Sequence, residues 1–176
     1  MRSDLGGLRL IPRLPHLTRR FVGALTARRD ATDFTTLDRY LAPGERALFL
    51  TMTLADQRHS LDLSARLRTD GHDEPDLVRA ALLHDVGKSL GPLPLPYRVI
   101  HSLLAITAPR LARWLGQDPA PSWRRPFYLA AHHAALGAEA AARAGSNSLV
   151  VRLIGGHDQP SPDELAQLLY RYDRHM

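Results

Sequence analysis

The sequence contains no cysteine. That absence excludes a disulfide framework, a thiolate-ligated zinc site and cysteine nucleophilic catalysis together, so any metal must be held by His, Asp or Glu. Long apolar runs are missing as well: no segment approaches the roughly 18 consecutive apolar residues of a membrane-spanning helix. The first 25 residues, interrupted by Arg9, Pro12, Arg13 and Pro15, hold no signal-peptide core, and the location expected on these grounds is the cytoplasm. Alternating β-branched runs, internal repeats and low-complexity stretches are absent too, which removes the pattern from which strands are read. Lysine is scarce: of 23 basic residues only Lys88 is lysine, the others being arginine.

What is present fits one compact domain, 176 residues of which 44% are hydrophobic and 23% charged. The net charge of +5 is unevenly placed. Residues 1–30 hold Arg2, Arg9, Arg13, Arg19, Arg20, Arg28 and Arg29 against Asp4 and Asp30, whereas the rest of the chain balances 16 basic against 16 acidic groups. The excess therefore belongs to a basic N-terminal arm over 1–30, followed by a folded domain over 31–176. Leu17, Phe21, Val22 and Leu25 have the spacing of a short amphipathic helix within the arm. Contact with nucleic acid or an anionic membrane is expected only through residues 1–30.

From Asp33 onward the pattern is helical. Asp33 is placed to cap a short helix ending near Leu41. Pro43 suits the first turn of a long helix reaching about Arg68 and stopped by Gly71, with Leu48, Met52, Ala55, His59 and Leu63 on one face. Pro75 opens the next helix, in which Leu77, Ala80, Ala81 and His84 share a face. Prolines at 92, 94 and 96 make 91–96 a loop. Tyr97 to Leu115 reads as helix broken at Ala108, because Pro109 disfavours the α conformation before it. Residues 119–126 form a second loop, and helix resumes from Phe127 to Ala144 with Gly145 as its C-terminal cap. A short helix from about Ser148 to Ile154 leads into Gly155-Gly156-His157-Asp158. Ser161-Pro162-Asp163-Glu164 predicts an N-cap at Ser161 for the last helix, whose inner face carries Leu165, Leu169, Tyr172 and Asp173. Trp114, Trp123 and Tyr128 read as core or loop-anchoring aromatics. The fold class expected is all-α, a single-domain helical bundle.

Polar residues on inward faces are informative, because a buried charge or imidazole is costly unless paired or bound to metal. His59, the adjacent pair His84 and Asp85, His133 and Asp173 come from separate helices. Imidazole and carboxylate together suit Mn²⁺, Fe²⁺, Co²⁺, Ni²⁺ or Mg²⁺, and a set without thiolates suits an open catalytic site better than a closed structural one. Arg58, beside His59, is placed either for a salt bridge or to reach an anionic substrate. His16, His72, His101, His132 and His175 match no part of this set.

His59, then Leu82-Leu83-His84-Asp85-Val86-Gly87-Lys88, then His133 with Gly137, then Gly155-Gly156-His157, then Asp173 resemble the HD superfamily of metal-dependent phosphohydrolases. The resemblance covers roughly residues 45–175 and implies an all-α bundle of the HD type. It implies His59, His84, Asp85 and Asp173 as primary metal ligands, Asp85 as the bridge between ions in two-metal members, and His133 and His157 as ligands of a second metal or contacts to phosphate. Lys88 matches the lysine near the substrate phosphate. Two-metal relatives often have consecutive histidines where this chain has His157-Asp158, so one or two ions are compatible with the resemblance. The implied function is hydrolysis of a small phosphate ester, such as a nucleotide, by metal-activated hydroxide, with Asp85 and Lys88 catalytic and Lys88 and Arg58 binding substrate. A second reading is a metal-binding regulatory module with little turnover, tethered through its basic arm.

Overall fold

The computed structural model describes residues 31–118 and 121–176, and within them the chain is all-helical. The basic arm, its amphipathic spacing at Leu17 to Leu25 and any partner contact through it lie outside the described residues. The helices are α1 (Ala31–Tyr40), α2 (Pro43–Phe49), α3 (Leu54–Thr69), α4 (Pro75–Leu83), α5 (Leu95–Thr107), α6 (Pro109–Leu115), α7 (Arg125–Arg143), α8 (Ser148–Gly156) and α9 (Glu164–His175). Short 3₁₀ turns at Val86–Ser89 and Ser122–Arg124 precede α5 and α7.

α4 is the central element. Leu77, Val78 and Ala80 to Leu83 are all fully buried, so this helix is apolar around most of its circumference. Leu63 and Leu67 of α3, Leu153 and Ile154 of α8 and Leu169 of α9 complete one cluster with it. Fully burying a leucine contributes on the order of 1.5–3 kcal/mol, which makes this cluster the main tertiary tie between the helices. A buried carboxylate reinforces it: Glu45 of α2 accepts from Arg79 of α4 at 2.7 Å and from Ser146 beyond α7 at 2.6 Å, joining three segments at one group.

Helix ends follow their local chemistry. Gly71 and Gly145, at φ +90° and +96°, end α3 and α7 in the left-handed conformation that the chain needs there. The expected long helix from Pro43 to Arg68 is instead two helices. Thr53 Oγ1 caps α3 by accepting from the Asp56 N–H at 3.2 Å, and Gln57 donates its side-chain amide to the freed Met52 carbonyl at 2.8 Å. The apolar spacing through Leu48, Met52 and Ala55 continues across the break and hides it. α1 begins at Ala31, so Asp33 lies inside the helix rather than at its cap. The last helix is capped by Asp163, whose Oδ1 accepts from the Leu165 and Ala166 N–H groups, and not by Ser161. Ser161 instead supports that cap, its hydroxyl accepting from the Asp163 N–H. The break between α5 and α6 falls at Ala108 as expected. α5 starts at Leu95, inside the expected loop, because Pro96 is compatible with a first helical turn.

Candidate metal centre

Four packed helices and the turn after α4 bring the sequence-selected residues to one place. His59 comes from α3 and Asp173 from α9, and the His59 Nε2 lies 2.8 Å from Asp173 Oδ1 although 114 positions separate them. His84 and His157 immediately follow α4 and α8, where the last helical carbonyls lack intrahelical donors. Each imidazole uses one of them: His84 Nδ1 donates to the Ala81 carbonyl at 2.9 Å and His157 Nδ1 to the Ile154 carbonyl at 2.7 Å. His133, within α7, donates in the same way to the Ala130 carbonyl at 2.9 Å. These bonds place a proton on Nδ1 in all three rings and turn Nε2 inward, which in neutral His133 and His157 is a lone pair, the arrangement by which metal-binding histidines are usually oriented.

The inward lone pairs meet. His133 Nε2 and His157 Nε2 are 3.3 Å apart, and each is 3.7 Å from Asp85 Oδ1. His84 Nε2, buried and without a hydrogen-bond partner, is 3.5 Å from Asp85 Oδ2 and 3.6 Å from Asp173 Oδ1. Asp85 thus turns one oxygen toward His133 and His157 and the other toward His84. Two overlapping groups, His59 with His84 and Asp173, and His84 with Asp85 and His157, have ligand atoms within 4.8 Å of one another and could hold a metal ion. The donor set fits a borderline or hard divalent cation.

Burial and charge set the protonation of these groups. Burial, with the Lys88 ammonium nearby, pushes His133 down to about 3, and burial together with His84 lowers His157. Burial opposes charge on Asp85, but Lys88 and His84 outweigh it and hold the carboxyl well below its ordinary value. Asp173 is likewise held far down, its burial outweighed by the His59 hydrogen bond and the His84 ring nearby. His84 moves the other way: its burial is outweighed by Asp85 and Asp173, and its pKa is raised. Near neutral pH, His133 and His157 are therefore neutral bases pointed at an ionised carboxylate.

Close backbone contact holds the turn in register. A Cβ on Gly87 would lie 1.9 Å from the His133 carbonyl oxygen and 2.8 Å from the Gly137 nitrogen, so the 3₁₀ turn presses directly on α7 where His133 resides. Lys88 Nζ, one residue on, is 2.7 Å from Asp85.

The centre opens into a cleft of about 980 Å³ whose lining includes His59, Lys88, His133 and Asp158. Arg58 lines it too, but its guanidinium is engaged with Asp62 at 2.5 and 2.9 Å and with Asp33 at 3.1 Å. Sequence spacing did not single out Arg98 or Arg171. Arg98 reaches the cleft from α5 and is fixed by Asp56 at 2.6 Å and by the Leu93 carbonyl. Arg171 lines the cleft and stands two positions before Asp173 in sequence, a proximity that was the available signal. His101 and His175 line the cleft without joining the cluster, and His132 turns away to the Gly116 carbonyl. Trp114 and Trp123 are not core residues: they are 48% and 58% exposed. No family model, no characterised protein and no solved structure matches the chain, so the meaning of this centre rests on its own geometry.

Proposed function

We propose that the protein is a metal-dependent phosphohydrolase of the HD type, acting on a small phosphate ester such as a nucleotide. The observation that carries this reading is the meeting of His133 Nε2 and His157 Nε2 at 3.3 Å, two imidazoles whose protons sit on Nδ1, each 3.7 Å from Asp85 Oδ1, a carboxylate that also takes the Lys88 ammonium at 2.7 Å. Two imidazole lone pairs packed so closely repel unless a cation joins them. A divalent cation bound there would supply that charge, activate water near neutral pH and polarise a phosphoryl oxygen.

His59, His84 and Asp173, or His84, Asp85 and His157, would hold the ion, with His133 beside the second group. Lys88 stands between Asp85 and the cleft, where its compact ammonium neutralises charge on a phosphoryl oxygen; a planar guanidinium would present a different geometry. That role accounts for the single lysine in a chain that otherwise uses arginine. Asp85, ionised and adjacent, orients the attacking water. Arg171 in the cleft lining adds positive charge there, and Arg58, already shared between two carboxylates, contributes mainly to fixing α3.

The test is an assay of the purified protein loaded in turn with Mn²⁺, Fe²⁺, Co²⁺, Ni²⁺ and Mg²⁺ on generic phosphate esters and a nucleotide panel, alongside His84→Ala and Asp85→Ala. Metal-dependent turnover abolished by either substitution supports the reading. A stoichiometric metalloprotein inert toward the whole panel would instead favour the regulatory module.

A further inference from the structure

We propose that the hairpin formed by α5 and α6 docks on an anionic lipid bilayer, with α5 lying in the plane of the interface. Among the described residues, α5 has no buried side chain. Val99, Ile100, Leu103 and Ile106 recur on one face of it and are 44%, 44%, 55% and 46% exposed. Leu95 at the start of α5, Leu111 and Trp114 on α6 and Trp123 beyond it extend the surface, so that eight of the twelve exposed large hydrophobics fall between residues 95 and 123. Scattered exposed leucines need no explanation; a contiguous face of this kind marks a binding surface.

Charge selects the occupant. Residues 95–125 contain Arg98, Arg110, Arg113, Arg124 and Arg125 and a single acid, Asp118. Arg98 is held by Asp56 inside the cleft, which leaves Arg110 and Arg113 on α6, with Arg124 and Arg125 just beyond the hairpin and Asp118 as the single acid between them. The chain's own basic arm, with seven arginines against two aspartates, carries the same sign as this face and does not complement its charge. A second copy would bring an identical positive face against it. An anionic bilayer complements both the charge and the apolar stripe.

The aromatic residues agree with that choice. Trp114 and Trp123 are the chain's only tryptophans, their rings lie 6.1 Å apart, and the Arg124 guanidinium sits over them at 4.9 and 5.8 Å. Tryptophan and arginine together suit the headgroup level of a membrane, where an apolar ring face and a charged tip are satisfied at once. With 13 residues, α5 is about 20 Å long, well short of the roughly 30 Å hydrocarbon thickness, so it lies on the bilayer rather than across it. Arg98, Ser102 and Ala105 of α5 line the metal cleft, and Leu95 and Val99, at the border of the apolar face, line it too, so docking brings the cleft beside the lipid surface.

Because Trp114 lies on the hairpin and Trp123 beside it, intrinsic fluorescence of the full-length protein reads the contact directly. Vesicles of phosphatidylcholine with about one third phosphatidylglycerol should shift the emission to the blue, and pure phosphatidylcholine should not. Leu103→Asp combined with Ile106→Asp, both at exposed positions, should leave the thermal melt unchanged and weaken the emission-detected partitioning about a hundredfold, from the lost burial of two large aliphatic side chains. Co-sedimentation with anionic vesicles without any emission change would mean that the arm alone binds, and would overturn the proposal. Emission already blue in buffer and reddened by the double substitution would assign the face to another part of the chain. Concentration-dependent dimers abolished by that substitution, with no response to vesicles, would assign it to self-association.

Discussion

The helices around α4 and the α5–α6 hairpin distribute polarity in opposite ways. Around α4 the interior holds His84, Asp85 and His157 at 0%, 1% and 1% exposure, while the hairpin leaves Leu103, Trp114 and Trp123 about half in solvent. Each arrangement is unfavourable by itself. Imidazoles and a carboxylate lose hydration on burial, and aliphatic and indole groups order water when exposed. Residues placed against their solvation preference in both regions are what the two proposals address: a cation for the first, an apolar and anionic surface for the second. The first region is rigidly held by caps, the Glu45 tie and the Gly87 contact with α7. The second has little comparable packing beneath it.

The comparison can be broken or sharpened by substitutions of graded effect. The largest is expected for Gly87→Ala, because its Cβ would overlap the His133 carbonyl at 1.9 Å and neither backbone can yield cheaply. Urea denaturation should show a loss of about 3 kcal/mol or more, and metal titration a matching loss of binding. Next, Leu153→Ala in the fully buried cluster should cost about 3 kcal/mol by the same denaturation measurement. Saturating metal should then raise stability by about 2.7 kcal/mol when present at a hundred times its dissociation constant, an increment absent from His84→Ala and Asp85→Ala.

A more gradual effect is expected with pH in chelator-treated protein. His133 is lowered to about 3 in the folded chain against about 6.5 unfolded. Below pH 6.5 the unfolded chain therefore takes up a proton that the folded chain refuses, and stability falls as pH drops from 6.5 toward 3. His157 acts in the same sense. His84, whose pKa is raised, acts in the opposite sense: its contribution is present below about 6.5 and is lost as pH rises through its folded value. Asp85 and Asp173 add stability above about 3.9 that disappears as acid reaches their depressed values. Denaturation midpoints across this range in wild type and His133→Gln check the slope, which should be shallower in the variant. The smallest effect is reserved for Leu103→Ala, expected within about 0.5 kcal/mol of wild type. A cost near that of Leu153→Ala would show that α5 is packed after all, and the contrast between the regions would fall.

Much of the architecture was legible because helix punctuation is local. Pro75, Pro109, Gly71 and Gly145 act through their own backbone geometry, and each marks a boundary where the sequence indicates one. Failures occurred where two local signals competed. At Leu50 to Thr53 a continuous apolar spacing concealed a cap that Thr53 and Asp56 announce at the proper separation. At the start of α9, Ser161 and Asp163 are both good caps, and the longer reach of neither residue is written in its type. Five candidate ligands were legible as inward-facing polar residues and His157 only through the resemblance, and all six assemble within one cluster or its edge. Arg98 was not legible, since its place in the cleft depends on an ion pair with Asp56 across 42 positions.

The sequence by itself determined the chemistry available: no thiolate, nine histidines, one lysine and helices throughout the domain. It also determined which residues share a helix face, because 100° of rotation per residue is a property of the backbone. Which faces are covered was decided only by tertiary structure. The apolar stripes of α4 and α5 obey the same period, yet Leu82 is fully buried and Leu103 is 55% exposed. Burial depends on neighbours, and neighbours are fixed by how helices pack. For the same reason sequence spacing could place His133 and His157 on helices but not set their Nε2 atoms 3.3 Å apart, a distance created by the contact of α7 with the turn after α4 and with α8.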